Sequence, residues 1–100
     1  MRIIALPTLK SFWDKHPEFS DAINPTLAWY RHAIKADWAS PSELKLDFNN
    51  ASILKDSRVV FNICGNKYRL IVKINFSASI IYVRFIGTHK EYDAIDAETV

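Results

Sequence analysis

The sequence predicts one α+β domain, in which helices pack on one face of a mainly antiparallel sheet. Its 100 residues suit a single domain, 1–100, and an apolar content of 49% is ordinary for a folded chain. Apolar residues recur with helical spacing in the first half, whereas β-rich runs occupy the second half. One early strand, two main helices and three later strands give the order β-α-α-β-β-β and a four-stranded sheet.

The first half is predicted to hold one strand followed by helices. Residues 2–5 are short and β-branched. An apolar stripe at helical spacing follows, made of Leu9, Phe12, Trp13 and His16. Pro17 should end that helix, and Asn24-Pro25 predicts the next helix start, with Asn as the N-cap. Ser40 and Glu43 have capping-box spacing and predict a short third helical turn.

The second half is predicted to form a three-stranded meander. Its β-rich runs are Val59–Ile63, Lys67–Asn75 and Ile80–Gly87, joined by short connections at 64–66 and 76–79. On the middle strand the apolar face expected under the helices consists of Tyr68, Leu70, Val72 and Ile74. Arg69 and Lys73 then belong to the opposite face, which is expected to be open. The alternation does not decide which face of the last strand is buried, because both are largely apolar.

Positive charge is concentrated in the second half of the chain. The stretch from Ser57 to Lys90 has no acidic residue and holds six cations, namely Arg58, Lys67, Arg69, Lys73, Arg84 and Lys90. The first fifty residues balance six basic against six acidic residues. This distribution is typical of a phosphate-binding face. A sheet face that is simply solvated by Lys and Arg explains it equally well.

Composition also bears on the compartment. No apolar run approaches the roughly 18 residues that a membrane span needs. The N-terminal segment 1–7 is too short for a signal peptide and is broken by Pro7. The one cysteine, Cys64, cannot form an internal disulfide. The sequence therefore predicts a cytoplasmic protein with no membrane partner.

Side chains suited to RNA cleavage fall at one end of the predicted sheet. Attack of a ribose 2′-OH on the adjacent phosphate needs a base, an acid and a cation that stabilises the phosphorane. Arg matches phosphate oxygens, and His and Tyr can exchange protons. His89 and Tyr92 follow the last strand directly, and the hairpin places Arg69 across from Arg84–Gly87. The sequence predicts that these three residues lie close together.

Each of these residues also has a structural interpretation. A His at a sheet end is more often solvated or capping, a Tyr can simply pack its ring, and an Arg on an open strand face is more often solvated. His16 and His32 have no partner at metal-ligand spacing, and no phosphate-loop, dinucleotide-binding or paired CxxC motif occurs. No metal and no cofactor are predicted.

The chain resembles the HigB toxin family. The resemblance rests mainly on Arg58–Ile63, Gly65–Val72, Val83–His89 and Glu91–Asp93. Phe12-Trp13, Ala28–Tyr30 and the ending Asp93–Thr99 are also similar to the family, so the resemblance covers essentially the whole chain.

This resemblance implies a RelE-like fold and a toxin of a type II toxin–antitoxin system. The implied activity is metal-independent cleavage of mRNA, usually on translating ribosomes. The implied partner is a HigA antitoxin, which is similar to helix-turn-helix repressors, so operator DNA is contacted only through the complex. In RelE-like enzymes an Arg after a Gly-x-x-aromatic turn contacts the scissile phosphate, and Arg69 matches that place after Gly65 and Tyr68. His89 matches the basic position after the last strand, and Tyr92 matches the C-terminal aromatic hydroxyl.

The predicted function is thus an mRNA endoribonuclease with Arg69, His89 and Tyr92 as catalytic residues. The predicted contacts to RNA phosphates are Lys67, Lys73, Arg84, Lys90 and Arg58. Two other classes stay open: a non-catalytic RNA- or ribosome-binding module, and a pure interaction protein. A binding module would present exposed aromatic rings at strand centres, as Tyr82 and Phe85 could. The sequence leaves open the codon preference, the need for the ribosome, the toxin–antitoxin stoichiometry and which of His89 and Tyr92 is the base.

Overall fold

A computed structural model describes all 100 residues and shows helices packed on one face of a mixed sheet. The strands are β1 (Arg2–Ile4), β2 (Ser52–Ile53), β3 (Arg58–Ile63), β4 (Tyr68–Asn75) and β5 (Ile80–Thr88). The helices are α1 (Leu6–Lys15), α2 (Ile23–Lys35), α3 (Pro41–Asp47) and α4 (His89–Asp93), with a 3₁₀ helix over Pro17–Ala22. No helix is both long enough and apolar enough to cross a membrane.

The sheet has five strands in the order β1-β5-β4-β3-β2. β1 runs parallel to β5, and every other neighbouring pair is antiparallel. The predicted α+β class and meander are confirmed, but one strand more than expected is present. The additional strand is β2, in which Ser52 and Ile53 pair with Val60 and Val59. Two residues are too few to produce a readable alternation, which is why the sequence did not reveal this strand.

The helices begin and end largely where the sequence indicates, with one correction. α1 ends before Pro17, and the Ser40 hydroxyl accepts a hydrogen bond from the Glu43 amide at the start of α3, as expected. The prediction that Asn24 caps α2 is wrong. The 3₁₀ helix runs directly into α2, so the capping position is Ala22, whose backbone is already helical. Asn24 therefore lies inside the first turn.

The main core lies between the helices and the first face of the sheet. The predicted inner face of β4 is buried, with Tyr68, Leu70, Val72 and Ile74 at most 2% exposed. These residues join a buried cluster of 18 that also contains all three tryptophans, Trp13, Trp29 and Trp38. The helix layer therefore packs against Tyr68 at the start of β4, next to Arg69.

The second face of the sheet is only partly open: Lys73 is exposed as the sequence predicted, but Arg69 is half-buried and the middle of the face is covered. Ile71 and Val60 lie side by side on this face and are 0% and 3% exposed, outside the main core cluster. The C-terminal segment, defined as residues 94–100, lies against this face. The Val100 carbonyl accepts hydrogen bonds from Arg58 Nε (3.1 Å) and Arg84 Nε (3.4 Å). The alternation of apolar and polar residues along a strand indicates which of its two faces is buried by the main core. It gives no information about a segment that folds back over the sheet later in the chain.

A β-bulge on β5 explains why its alternation was ambiguous. Ile71 pairs with Phe85, but the next residue, Val72, pairs with Val83, so Arg84 is the extra residue. A bulge breaks the period of two and shifts the following residues to the other face. Both Val83 and Ile86 consequently pack against the main core.

Candidate active site

Arg69 is held near the end of β4 beside the last strand. It pairs with Gly87 of β5, within the range Arg84–Gly87 that the sequence predicted. A Cβ at Gly87 would lie 2.5 Å from the Phe85 ring and 3.2 Å from the Glu91 carboxylate. Glycine at this position therefore lets the Phe85 ring and Glu91 pack closely beside Arg69.

The hairpin between β3 and β4 also fixes the Arg69 side chain. Cys64 and Gly65 both have positive φ values, 55° and 67°, which a tight turn of this kind requires. The following loop presents the Asn66 carbonyl, which accepts a hydrogen bond from Arg69 Nη1 at 3.1 Å. Only part of the guanidinium is used in this way, so donors remain for a phosphate.

A short helix, α4, carries the other candidate residues. The Thr88 hydroxyl accepts from the Glu91 amide at 3.1 Å, and the Glu91 carboxylate accepts from the Thr88 amide at 2.9 Å. This capping box starts the helix directly at the end of β5. The helix was not predicted, although its signal, Thr88 followed three residues later by Glu91, is visible in the sequence.

The structure brings the three predicted catalytic residues together. The Arg69 guanidinium lies 5.6 Å from the centre of the Tyr92 ring, and the Tyr92 and His89 rings are 6.4 Å apart. His89 Nδ1 lies 3.0 Å from an Asp93 carboxylate oxygen. A carboxylate can only accept, so Nδ1 donates, and Nε2 is the ring nitrogen left free in the neutral imidazole. Asp93 is therefore an orienting partner of His89 that the sequence did not assign.

The predicted phosphate-binding cations divide into two groups. Lys73 and Lys90 are exposed and make no ion pair. The other three are already engaged: Arg58 is 7% exposed, and both it and Arg84 donate to the C-terminal segment, while Lys67 forms an ion pair with Asp21. The structure does not place these three with Arg69.

Asp21 is a further residue at this end of the sheet that the sequence did not single out. Its carboxylate accepts hydrogen bonds from Lys67 Nζ and the Tyr68 hydroxyl. The bonds from Lys67 and Tyr68 hold the pKa of Asp21 below its usual value, and the bond to Asp21 raises the pKa of Lys67. Burial raises the pKa of Tyr68. At neutral pH the carboxylate is therefore ionised and both donors are protonated.

The grouping is a surface site rather than a deep cavity. The largest cavity, about 520 Å³, lies between α2 and the end of β3 and is lined by none of Arg69, His89 and Tyr92. No group of three or more His, Cys, Asp or Glu side chains is arranged to hold a metal ion. A half-buried guanidinium with free donors, beside an exposed imidazole and a phenol, can bind a phosphate and exchange protons with groups next to it.

Comparisons with known proteins identify the family to which the chain is similar. A sequence model of the HigB toxin family, described as the RelE-like toxic component of a toxin–antitoxin system, matches residues 22–95. The chain is 31% identical over 102 residues to the mRNA interferase toxin HigB of Escherichia coli (strain K12), covering 97% of this chain and 92% of that protein. An mRNA interferase HigB of Escherichia coli O6:H1 is 29% identical over 97 residues, covering 95% and 91%.

Proposed function

Because the chain belongs to the HigB toxin family of toxin–antitoxin systems, we propose that it cleaves mRNA with Arg69, His89 and Tyr92 as the reacting groups. The similar proteins carry the name mRNA interferase, which describes an endoribonuclease that acts on messenger RNA. The observation that supports the residue assignment is the meeting of Arg69, Tyr92 and His89 at the end of the sheet.

In the proposed reaction His89 is the general base. Its free Nε2 takes the proton from a ribose 2′-OH, and the 2′-oxygen then attacks the adjacent phosphorus. The P–O5′ bond breaks, so the products are a 2′,3′-cyclic phosphate and a 5′-hydroxyl end. Asp93 accepts from Nδ1 and supports the imidazolium that forms. No metal takes part.

Arg69 and Tyr92 act on the phosphate in this proposal. The Arg69 donors that do not bind Asn66 stabilise the charge that develops on the phosphorane. The Tyr92 hydroxyl donates a proton to the leaving 5′-oxygen. Lys73 and Lys90 contact flanking phosphates, and Arg84 can add its two free terminal nitrogens, since only its Nε donates to Val100. Arg58 and Lys67 can bind RNA only after release from their present partners.

The partners are proposed on the same basis. The family description requires an antitoxin, and we propose that it is of the HigA type with a helix-turn-helix, so that operator DNA is bound only by the complex. We further propose that the chain acts in the cytoplasm on mRNA in translating ribosomes, where the ribosome holds the strand against the exposed site.

Expression of the chain without an antitoxin tests the function. Growth should stop, and mRNA should be cut while ribosomal RNA stays largely intact. The purified protein should cut a ribosome-bound mRNA and leave ends that carry a cyclic phosphate. Normal growth with unchanged transcripts would remove the enzyme assignment, and RNA binding without cleavage would instead favour a binding module.

A further inference from the structure

Asp21 joins the helix layer to the strand that carries Arg69. It lies in the 3₁₀ helix Pro17–Ala22, and its two carboxylate oxygens accept separate hydrogen bonds from adjacent residues, Lys67 and Tyr68. These bonds connect positions 46 and 47 residues apart in the sequence. The Tyr68 ring is fully buried, so its hydroxyl holds the carboxylate at a fixed point of the core boundary.

The two residues that Asp21 holds are directly linked to the candidate active site. The Lys67 carbonyl accepts a hydrogen bond from the His89 amide at 3.2 Å, where α4 begins. Arg69 follows Tyr68 in the chain and donates to the carbonyl of Asn66, the residue before Lys67. The segment 66–69 therefore carries Arg69 and also anchors the first residue of α4.

We propose that Asp21 is a positioning residue for RNA cleavage, which fixes Arg69 and His89 relative to each other by holding Lys67 and Tyr68. This inference rests on the proposed function. Asp21 does not touch the substrate and acts only through the 66–69 segment. A secondary consequence is that Lys67 is withheld from RNA, because its ammonium group is paired with the Asp21 carboxylate.

The geometry favours positioning over a purely stabilising role. Asp21 and Lys67 are both largely exposed, with 42% and 56% of their side-chain surfaces accessible. The exposed ion pair with Lys67 contributes little to folding, and a single hydrogen bond such as that from the Tyr68 hydroxyl contributes only modestly. A displacement of roughly 1 Å at a catalytic group, in contrast, can lower a rate by about 100-fold. Loss of Asp21 should thus affect the reaction more than the fold.

The test compares Asp21→Asn with Asp14→Asn, which removes the same charge from an exposed position on α1 that makes no ion pair or side-chain hydrogen bond. We expect Asp21→Asn to cut ribosome-bound mRNA about 10- to 100-fold more slowly at saturation. The half-saturating concentration should stay equal or fall, since a negative charge is lost and Lys67 becomes free. Asp14→Asn should cut at the wild-type rate. A fold defect would not produce this split between rate and affinity.

Two further measurements support the same test. Tyr68→Phe keeps the buried ring but loses the hydroxyl, and should slow cleavage similarly. The double variant with Asp21→Asn should be no slower than the slower single variant, because both changes release the same segment. By NMR, the His89 amide should exchange with solvent faster in Asp21→Asn, while the Leu70 amide in the middle of β4 stays protected.

The proposal is overturned if folded Asp21→Asn and Tyr68→Phe both cut at the wild-type rate. It is also overturned if the His89 amide exchanges at the wild-type rate in Asp21→Asn, because the contact through which Asp21 acts is then intact. If Asp21→Asn does not fold, Tyr68→Phe decides alone. If the wild-type protein cuts no RNA, the proposed function fails, and that result is distinct from a normal rate in the variants.

Discussion

Replacing Arg69 by alanine should separate catalysis from stability. In the folded protein Arg69 makes one hydrogen bond, to the Asn66 carbonyl, and its guanidinium faces the Tyr92 ring. The hydrogen bond is worth about 0.5–1.5 kcal/mol and an exposed cation–π contact about 0.5–1 kcal/mol. Arg69→Ala should therefore lower the free energy of unfolding by about 1–2.5 kcal/mol, against the roughly 5–15 kcal/mol of a typical domain.

The catalytic loss should be larger. Removal of one donor to the charge of a transition state typically costs about 10²–10³ in rate, which corresponds to about 2.7–4 kcal/mol. Thermal unfolding followed by circular dichroism should show a Tm lowered by about 4–20 °C, using about 4–8 °C per kcal/mol for a domain of this size. At 25 °C the variant should stay folded and fail to cut a defined mRNA on ribosomes.

Arg69→Lys is the matched control for charge. Lysine keeps the positive charge but cannot contact two phosphate oxygens through a planar fork. It should recover only part of the lost rate, while RNA binding stays close to that of the wild type. A folded Arg69→Ala protein that cuts mRNA at the wild-type rate would refute this reasoning, because no contact of Arg69 with the scissile phosphate would then matter.

The remaining predictions concern α4. A general base must be unprotonated to accept a proton, so the wild-type cleavage rate should rise with pH, and His89→Gln should lose that rise. Tyr92→Phe should lower the rate but keep the rise with pH. If both variants cut at near wild-type rates with the wild-type pH profile, His89 and Tyr92 are not the base and the acid. Thr88→Ala removes the N-cap of α4 and should cost about 0.5–2 kcal/mol of stability. It should also slow cleavage by displacing His89 and Tyr92, whereas Thr8→Ala, at an exposed position on α1, should cut normally.

Much of the fold could be predicted because local periodicity encodes burial. The alternation along β4 identified its inner face, and the register opposite Arg69 followed from the position of the turn. The start of α2 at Asn24 was predicted wrongly, because the 3₁₀ helix supplies a preceding helical turn that makes a capping side chain unnecessary. The two-residue strand β2 was missed because two residues are too few to show an alternation of apolar and polar side chains.

The candidate site could be predicted in part. Arg69, His89 and Tyr92 were placed together from chain order and hairpin geometry, which are local properties. The short helix α4, which carries His89 and Tyr92, was not predicted, although Thr88 and Glu91 have the spacing of a capping box. The burial of Arg58 and the hydrogen bonds from Arg58 and Arg84 to Val100 could not be foreseen, because the C-terminal segment reaches these residues only after the chain has turned back across the sheet.

By itself, then, the sequence determined the α+β class, the inner face of β4 and the strand end at which the chemistry-bearing residues meet. These features depend on the spacing of apolar side chains along the chain and on short turns. Both are specified by residues that are close in the sequence. Tertiary structure alone decided that Arg84 sits in a bulge, that part of the second face is covered and that Asp21 holds Lys67 and Tyr68. Each of these depends on contacts between distant parts of the chain, which form only when the helix layer and the C-terminal segment pack against the sheet.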